Sequence, residues 1–277
     1  MDLSLYLKAL YHNNIRLTKT KLGLSNVIYR ANINGSDVAI RVPNEDISKH
    51  LSNEAETLKL IRTTDLDVEE IYYDPKTRIR ITKWVNNYQE FKDFDNPDKY
   101  IRATRLIKRL HSYHFKVKHK FDVEAMYYAF KKDIQVPLLD YDKYENCFES
   151  FKNLKQDYIL CHNDVVSGNM LFTSDRDYLI DYEYAGNNHP YFDIMSLITE
   201  NNIDDENIRN MIYKEYLGKM PDSETLEAFK IIENVQNLLW AAWANMLYDS
   251  RHEEIYLTIF NDKIEHLKKG NQWNISL

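Results

Sequence analysis

The chain of 277 residues is poor in the residues that mark several common protein classes. It has two cysteines, Cys147 and Cys161, too few for a disulfide scaffold, and Cys161 reads as a small buried apolar residue. Six glycines and six prolines leave no low-complexity linker, and no internal repeat is visible. Positive charge is in deficit: 36 Lys and Arg stand against 43 Asp and Glu, a net charge of -7. An acidic chain without a long basic run argues against nucleic-acid binding and suits a cationic ligand better. Long apolar runs are missing too. The most apolar C-terminal stretch, Leu238 to Leu247, is too short to cross a bilayer, which argues against membrane insertion. The N-terminus, Met1-Asp-Leu-Ser-Leu-Tyr-Leu-Lys8, has neither a charged leader nor a long apolar core, so a cytoplasmic location is expected.

What the chain does have is concentrated between Tyr158 and Glu183. An apolar strand runs into the polar loop His162-Asn-Asp164-Val-Val-Ser-Gly-Asn169. A hairpin is expected to follow, with Met170 to Phe172 as one arm, a turn over Thr173 to Asp177, and Tyr178 to Ile180 as the return. In that register Met170 faces Ile180, so Asn169 and Asp181 lie side by side at one end of the ladder. Glu183 follows two residues later on the same strand face, and Asp164 lies on the loop feeding that end. A lone Asp at a strand end is often only a turn residue; the combination H-x-D-x-x-x-x-N, strand, turn, strand, I-D-x-E is specific.

Two carboxylates and a carboxamide at such a place suit phosphoryl transfer. That reaction needs Mg2+ on the phosphate oxygens and a base at the attacking hydroxyl, with little covalent help from the protein. Mg2+ prefers hard oxygen donors, which Asn169 and Asp181 supply, with Glu183 as a direct or water-mediated partner. Asp164 is the candidate base. His162 reads better as an anchor of the loop, bonded to nearby backbone or to Asp193.

The residues His162 to Asn169, Leu179 to Tyr184, Pro190-Tyr-Phe-Asp193-Ile and Leu106-Ile-Lys-Arg-Leu110-His111-Ser closely resemble the choline/ethanolamine kinases. These are a branch of the aminoglycoside-phosphotransferase-like kinases, and the resemblance is narrowest to the bacterial LicA type. The resemblance covers nearly the whole chain, most specifically Leu160 to Asp193. It implies an α+β, bilobal protein-kinase-like fold, with a small N-terminal antiparallel-sheet lobe over residues 1–85. A larger, mainly helical catalytic and substrate-binding lobe takes 86–277, with the hinge at 83–88. The activity implied is phosphorylation of choline by ATP with Mg2+, and Asp193 is implied to support the catalytic loop. Some branches are homodimers, and no feature of the sequence decides self-association.

The N-terminal pattern fits. Leu3 to Leu10 reads as an amphipathic helix; Arg16 to Leu22, Val27 to Ile33 and Asp37 to Val42 read as strands, the last two joined at Asn34-Gly35-Ser36. The loop Leu22-Gly23-Leu24-Ser25-Asn26 has one glycine, far from a G-x-G-x-x-G or Walker sequence. The family covers ATP with a similar loop, which makes Ser25 and Asn26 phosphate neighbours. Alternation in Val38-Ala-Ile-Arg41-Val turns Arg41 away from the Ile40 face. A cation on the third strand of a kinase-like lobe pairs the nucleotide phosphates and is held by a helix acid. Over Ser52 to Ile61 that acid is Glu54 or Glu56, and Asn53-Glu54 resembles the family's helix motif. Val68 to Tyr73 and Arg78 to Lys83 read as further strands. Lys83-Trp84-Val85-Asn86-Asn87 follows as the adenine-facing hinge, with Trp84 and Val85 as ATP contacts.

Substrate identity rests on a helix expected over Glu224 to Tyr248, where Gln236, Trp240, Trp243 and Leu247 share one face. Paired tryptophans on such a face are commonly core. A quaternary ammonium, however, carries diffuse charge without hydrogen-bond donors, and proteins bind it with aromatic faces. Choline kinases carry W-x-x-W on the matching helix, here Trp240-Ala-Ala-Trp243, and an aromatic matching Tyr184. Tyr191 and Glu200 are further candidates, Tyr191 equally suited to packing and Glu200 equally suited to a solvated helix surface. Three rivals stay open: an ethanolamine or other amino-alcohol kinase, an aminoglycoside kinase, and an inactive kinase-like binding module. An aminoglycoside pocket needs many carboxylates, whereas two tryptophans suit one methylated cation.

Overall fold

The structure, a computed structural model, describes residues 2–20, 26–43, 54–155 and 157–272. They form two compact units: Met1–Asp95 with Ser167–Glu183, and Asn96–Val166 with Tyr184–Leu277.

In the first unit, helix α1 (Leu3–Tyr11) begins at Asp2, whose carboxylate accepts from the amides of Ser4 (2.9 Å) and Leu5 (3.2 Å). The antiparallel sheet has the order β1-β2-β3-β5-β4, with β1 at Thr18–Lys19, β2 at Asn26–Ile33, β3 at Ser36–Pro43, β4 at Glu70–Tyr73 and β5 at Arg80–Lys83. Asn34 and Gly35 both take positive φ, 51° and 83°, the turn that matches the twist of a tight hairpin, and β2 pairs β3 from Asn26↔Pro43 to Ile33↔Ser36. Strand alternation then sorts the faces. Val38 and Ile40 with Ile79 and Ile81 fill a core against Leu7. On the other face Arg41 lies directly opposite Arg80 of β5.

The first expected strand is much shorter than Arg16 to Leu22, and residues 21–25, including Ser25 of the expected phosphate loop, lie outside the described residues. So do Ser52 and Asn53 of the expected acid-bearing helix, which is described here as α2 (Glu54–Ile61).

A second sheet of the same unit orders β6 (Gln89–Glu90), β8 (Met170–Phe172) and β9 (Asp177–Leu179). Its hairpin differs from the expected register by one residue: Met170 pairs with Leu179, not Ile180. The turn closes one residue sooner, where Thr173 bonds Arg176 through both its amide (3.1 Å) and its hydroxyl (2.6 Å). The return strand also ends sooner, because Asp181 takes the left-handed conformation (φ 66°) and turns the chain out of the ladder. Glu183 therefore sits in a 3-10 turn, Tyr182–Tyr184, rather than on a strand face.

The second unit is mainly helical. It comprises α3 (Lys99–Ser112), α4 (Val123–Asp133), α5 (Asn146–Lys152), α6 (Tyr191–Thr199), α7 (Glu206–Leu217), α8 (Ser223–Arg251) and α9 (Glu254–Gln272), with β7 (Ile159–Cys161) pairing β10 (Gly186–Asn188). Asp222 caps α8 through the Thr225 amide at 3.0 Å, and His252 ends it in a left-handed conformation (φ 55°). Gln236, Trp240, Trp243 and Leu247 are all buried on this helix. Gln236 fixes its rotation against α6, donating to the Phe192 carbonyl (2.7 Å) and accepting from the Thr199 hydroxyl (2.9 Å).

Candidate active site

The first unit gathers a buried charge cluster around Arg41. Its guanidinium bonds Glu54 at 2.6 Å with one terminal nitrogen and Asp181 with the other. Glu54, not Glu56, is thus the acid that meets Arg41, and it is 2 % exposed. Burial pulls the Arg41 pKa down, but the carboxylates of Glu54, Asp181 and Glu183 outweigh it and hold the guanidinium above its ordinary value. Asn26 donates its side-chain amide to the other Asp181 oxygen at 3.1 Å. Tyr73 donates to Glu54 at 3.3 Å, and burial and this carboxylate push the phenol up to about 12. Asn169, 8 % exposed, ends the 3-10 turn before β8, and its backbone carbonyl accepts from the Ile180 amide at 2.9 Å. The structure therefore brings Arg41, Glu54, Asn26 and Asp181 into direct contact, with Asn169 joined by backbone to the residue before Asp181.

Trp84 and Val85 follow β5 and are partly buried. The Trp84 amide donates to the Asp37 carbonyl at 2.9 Å, and the guanidinium carbon of Arg30 lies 4.8 Å from the centre of its ring.

In the second unit, the loop after β7 is suspended from one buried carboxylate. Asp193 is 0 % exposed and accepts from the backbone amides of His162 (2.8 Å) and Asn163 (2.7 Å) and from His111 Nε2 (2.9 Å). Burial raises its pKa, yet these bonds and the neighbouring histidines win and hold the carboxyl below its ordinary value. His111 is fixed in turn by the Tyr216 hydroxyl at 2.8 Å. Asn163 takes a left-handed conformation (φ 66°), and its side-chain amide reaches the Tyr184 carbonyl at 3.0 Å. Val165, directly after Asp164, is held by Ser196 Oγ at 2.9 Å. Asp164 is thus carried on a backbone pinned on both sides. It is His162's backbone amide that reaches Asp193.

Four aromatic rings of this unit meet edge to face. Tyr184 and Trp240 lie 5.6 Å apart at 89°, Trp240 and Trp243 6.1 Å apart at 88°, and Trp243 and Tyr256 of α9 5.7 Å apart at 81°. Each contact is the edge-to-face arrangement that aromatic pairs prefer, and an aromatic face is also what a diffuse cation binds. Tyr191 packs against Phe229 (4.8 Å) and Tyr216 (6.2 Å). Glu200 ends α6 and pairs with the buried Lys263 at 2.8 Å, so its charge is balanced within the protein.

Residues that the sequence reading left out include Asn163, Tyr256 and Arg78. Asn163 could have been singled out, since Asn tolerates a left-handed backbone in a loop that must turn sharply. Tyr256 and Arg78 carry no local signal, because what matters is the element each packs against.

The sequence profile of the choline/ethanolamine kinases matches residues 41–233, most of the chain and all of the loop and hairpin just described. The chain belongs to the choline/ethanolamine kinase family. Among its relatives is protein LicA of Haemophilus influenzae, 27% identical over 241 residues, which are 81% of this chain and 71% of that one. Among solved structures, the choline kinase LicA from Streptococcus pneumoniae is 18% identical, with a TM-score of 0.79 over 97% of this chain and 100% of that chain. A LicA in complex with AMP gives a TM-score of 0.80 at 17% identity over 97% of each chain. The fold is that of the protein-kinase-like small-molecule kinases, and the enzyme is a phosphotransferase with an alcohol group as acceptor.

Proposed function

We propose that the protein transfers the γ-phosphoryl group of ATP to the hydroxyl of choline. The observation that carries the choice of acceptor is the perpendicular ring set Tyr184, Trp240, Trp243 and Tyr256 in a chain of this family. A trimethylammonium group makes no ordinary hydrogen bonds, and each aromatic face that it meets is worth roughly 0.5 to 2 kcal/mol. An aminoglycoside presents several ammonium groups and calls for several uncommitted carboxylates. Glu200, weighed as the negative charge of the cation pocket, is paired with Lys263, so the choice of choline rests on the rings.

Asp164 accepts or orients the proton of the choline hydroxyl. Arg41, oriented by Glu54, offers its fork to the nucleotide phosphates, a role that fits the AMP held by the similar LicA. The hinge at 83–88, with Trp84 and Val85, is assigned to the adenine. Asn169, Asp181 and Glu183 are hard oxygen donors, the set that Mg2+ takes, and they are assigned to hold it. When bound, the ion neutralises the phosphate oxygens that the transfer loads with charge.

ADP release with Mg-ATP across choline, ethanolamine, an aminoglycoside and a sugar alcohol tests this reading. Choline turnover well above the others supports it. Preference for ethanolamine keeps the kinase and discards the trimethylammonium cage, while silence across the panel, with ATP bound, leaves an inactive nucleotide-binding protein.

A further inference from the structure

Arg78 lies outside every role assigned so far, and its position is costly. It ends the turn that starts at Asp74, its amide donating to the Asp74 carbonyl at 2.7 Å, and its φ is 57°. Gly or Asn ordinarily fills such a place, because a longer side chain crowds its own backbone there, at about 1 kcal/mol or more. The side chain is 16% exposed, and none of its three guanidinium nitrogens has a hydrogen-bond partner among the described residues. A buried donor without a partner is a further cost. What the guanidinium does have is charge partners: one terminal nitrogen lies 3.6 Å from Glu54 and 3.9 Å from Glu183.

Those distances place Arg78 in the cluster around Arg41. Glu54 and Glu183 are 2 % and 4 % exposed, so their charges require compensation within the protein. Two guanidiniums, Arg41 and Arg78, face three carboxylates, Glu54, Asp181 and Glu183. Both oxygens of Asp181 are engaged, one by Arg41 and the other by Asn26. A divalent ion arriving alone would meet three acids of whose charge two units are already offset by arginine. One arriving with a nucleotide brings phosphate oxygens, to which a guanidinium fork binds in two parallel bonds.

We propose that Arg78 is a positioning residue that acts as an internal counter-ion, keeping Glu183 and Glu54 balanced in the nucleotide-free enzyme so that the metal binds together with the nucleotide rather than ahead of it. The inference rests on the assignment of Asp181 and Glu183 to the metal, and concerns the order of binding rather than the acceptor. The charge accounts for an arginine tolerated at a left-handed position.

The test is binding of Mn2+ alone to the full chain, read from the paramagnetic resonance of the free ion, for the wild type, Arg78→Gln and Arg78→Lys. Loss of one positive charge a few ångströms from the acids should tighten Mn2+ binding about tenfold or more in Arg78→Gln. Arg78→Lys, with the charge retained, should stay near the wild type. Equal or weaker binding by Arg78→Gln overturns the proposal, and so does tightening in Arg78→Lys to match it. Should Arg78→Gln fail to melt cooperatively, the wild type decides alone. Its Mn2+ affinity should rise when a non-hydrolysable ATP analogue is present, and an affinity just as high without the analogue refutes the counter-ion role. Absence of Mn2+ uptake even with the analogue removes the metal assignment and this proposal together, whereas a failed acceptor panel leaves both standing.

Discussion

Asp193 is the place where fold and chemistry can be separated by one substitution. Its carboxylate takes three bonds at 2.7 to 2.9 Å from His162 and Asn163 amides and from His111, in a site with no solvent exposure. Asp193→Ala strands those three donors, and breaking a buried charged arrangement from one side costs about 3 to 5 kcal/mol. Asp193→Asn keeps one oxygen but turns an NH2 toward an existing donor, so about 2 to 3 kcal/mol is expected. With roughly 2 to 4 °C per kcal/mol for a chain of this size, the Ala variant should melt about 6 to 20 °C lower. Thermal unfolding followed by circular dichroism measures this. The sign of the pH effect follows from the depressed native pKa: the carboxylate's contribution is complete above its ordinary value of 3.8 and fades as pH falls through the lower native value. The gap between wild type and Asp193→Asn should therefore hold from pH 7 to pH 5 and narrow only in stronger acid. A melting temperature for the Ala variant within about 2 °C of the wild type refutes the view that Asp193 suspends the loop.

Three further outcomes are expected. Trp240→Leu should raise the choline KM about 2- to 30-fold, the loss of one cation–π face, with the ATP KM unchanged; an unchanged choline KM removes Trp240 from the cage. Gly186→Ala should cost about 1 to 3 kcal/mol by urea titration. Its Cβ would stand 3.0 Å from the His119 ring, which is held by the Ala185 carbonyl, and 3.2 Å from the backbone nitrogen of Phe121, so a cost under about 0.5 kcal/mol contradicts that crowding. His189, pushed down to about 4 by burial and then by His111, stays neutral in the native state while the unfolded chain protonates near 6.5. Stability should therefore fall as pH drops from 6.5 to 4, by up to about 3 kcal/mol, and His189→Asn should flatten that slope; an unaltered slope assigns it to other groups.

The short spacings around Asp164, Asn169, Asp181 and Trp240-x-x-Trp243 single these residues out as candidates from the sequence alone. The pairing of Arg41 with Glu54 needed the strand alternation and the resemblance together, since Glu56 lies on the same helix. The hairpin register was not legible, because it depends on two local events that alternation does not encode. One is the Thr173 turn closing on Arg176, and the other is the left-handed Asp181 ending β9 at Leu179. Those events also move Glu183 from a strand face into a 3-10 turn. The pairing of Glu200 with Lys263 was not legible, because Lys263 lies far along the chain on α9.

The scarcity of glycine explains why these surprises fall where they do. A left-handed backbone is nearly free for glycine and tolerable for Asn and Asp, whose side chains bond locally, and it is unfavourable for Arg. Of the left-handed residues here, Asn34, Gly35 and His252 shape a hairpin or end a helix. Asn163, Asp181 and Arg78 are different, because each directs a side chain into a contact that glycine would forfeit. Asn163 reaches the Tyr184 carbonyl, Asp181 meets Arg41 and Asn26, and Arg78 faces Glu54 and Glu183. Backbone strain of about 1 kcal/mol at each position persists where surrounding contacts over-determine it. At all three, those contacts belong to residues assigned to the phosphates, the metal or the acceptor.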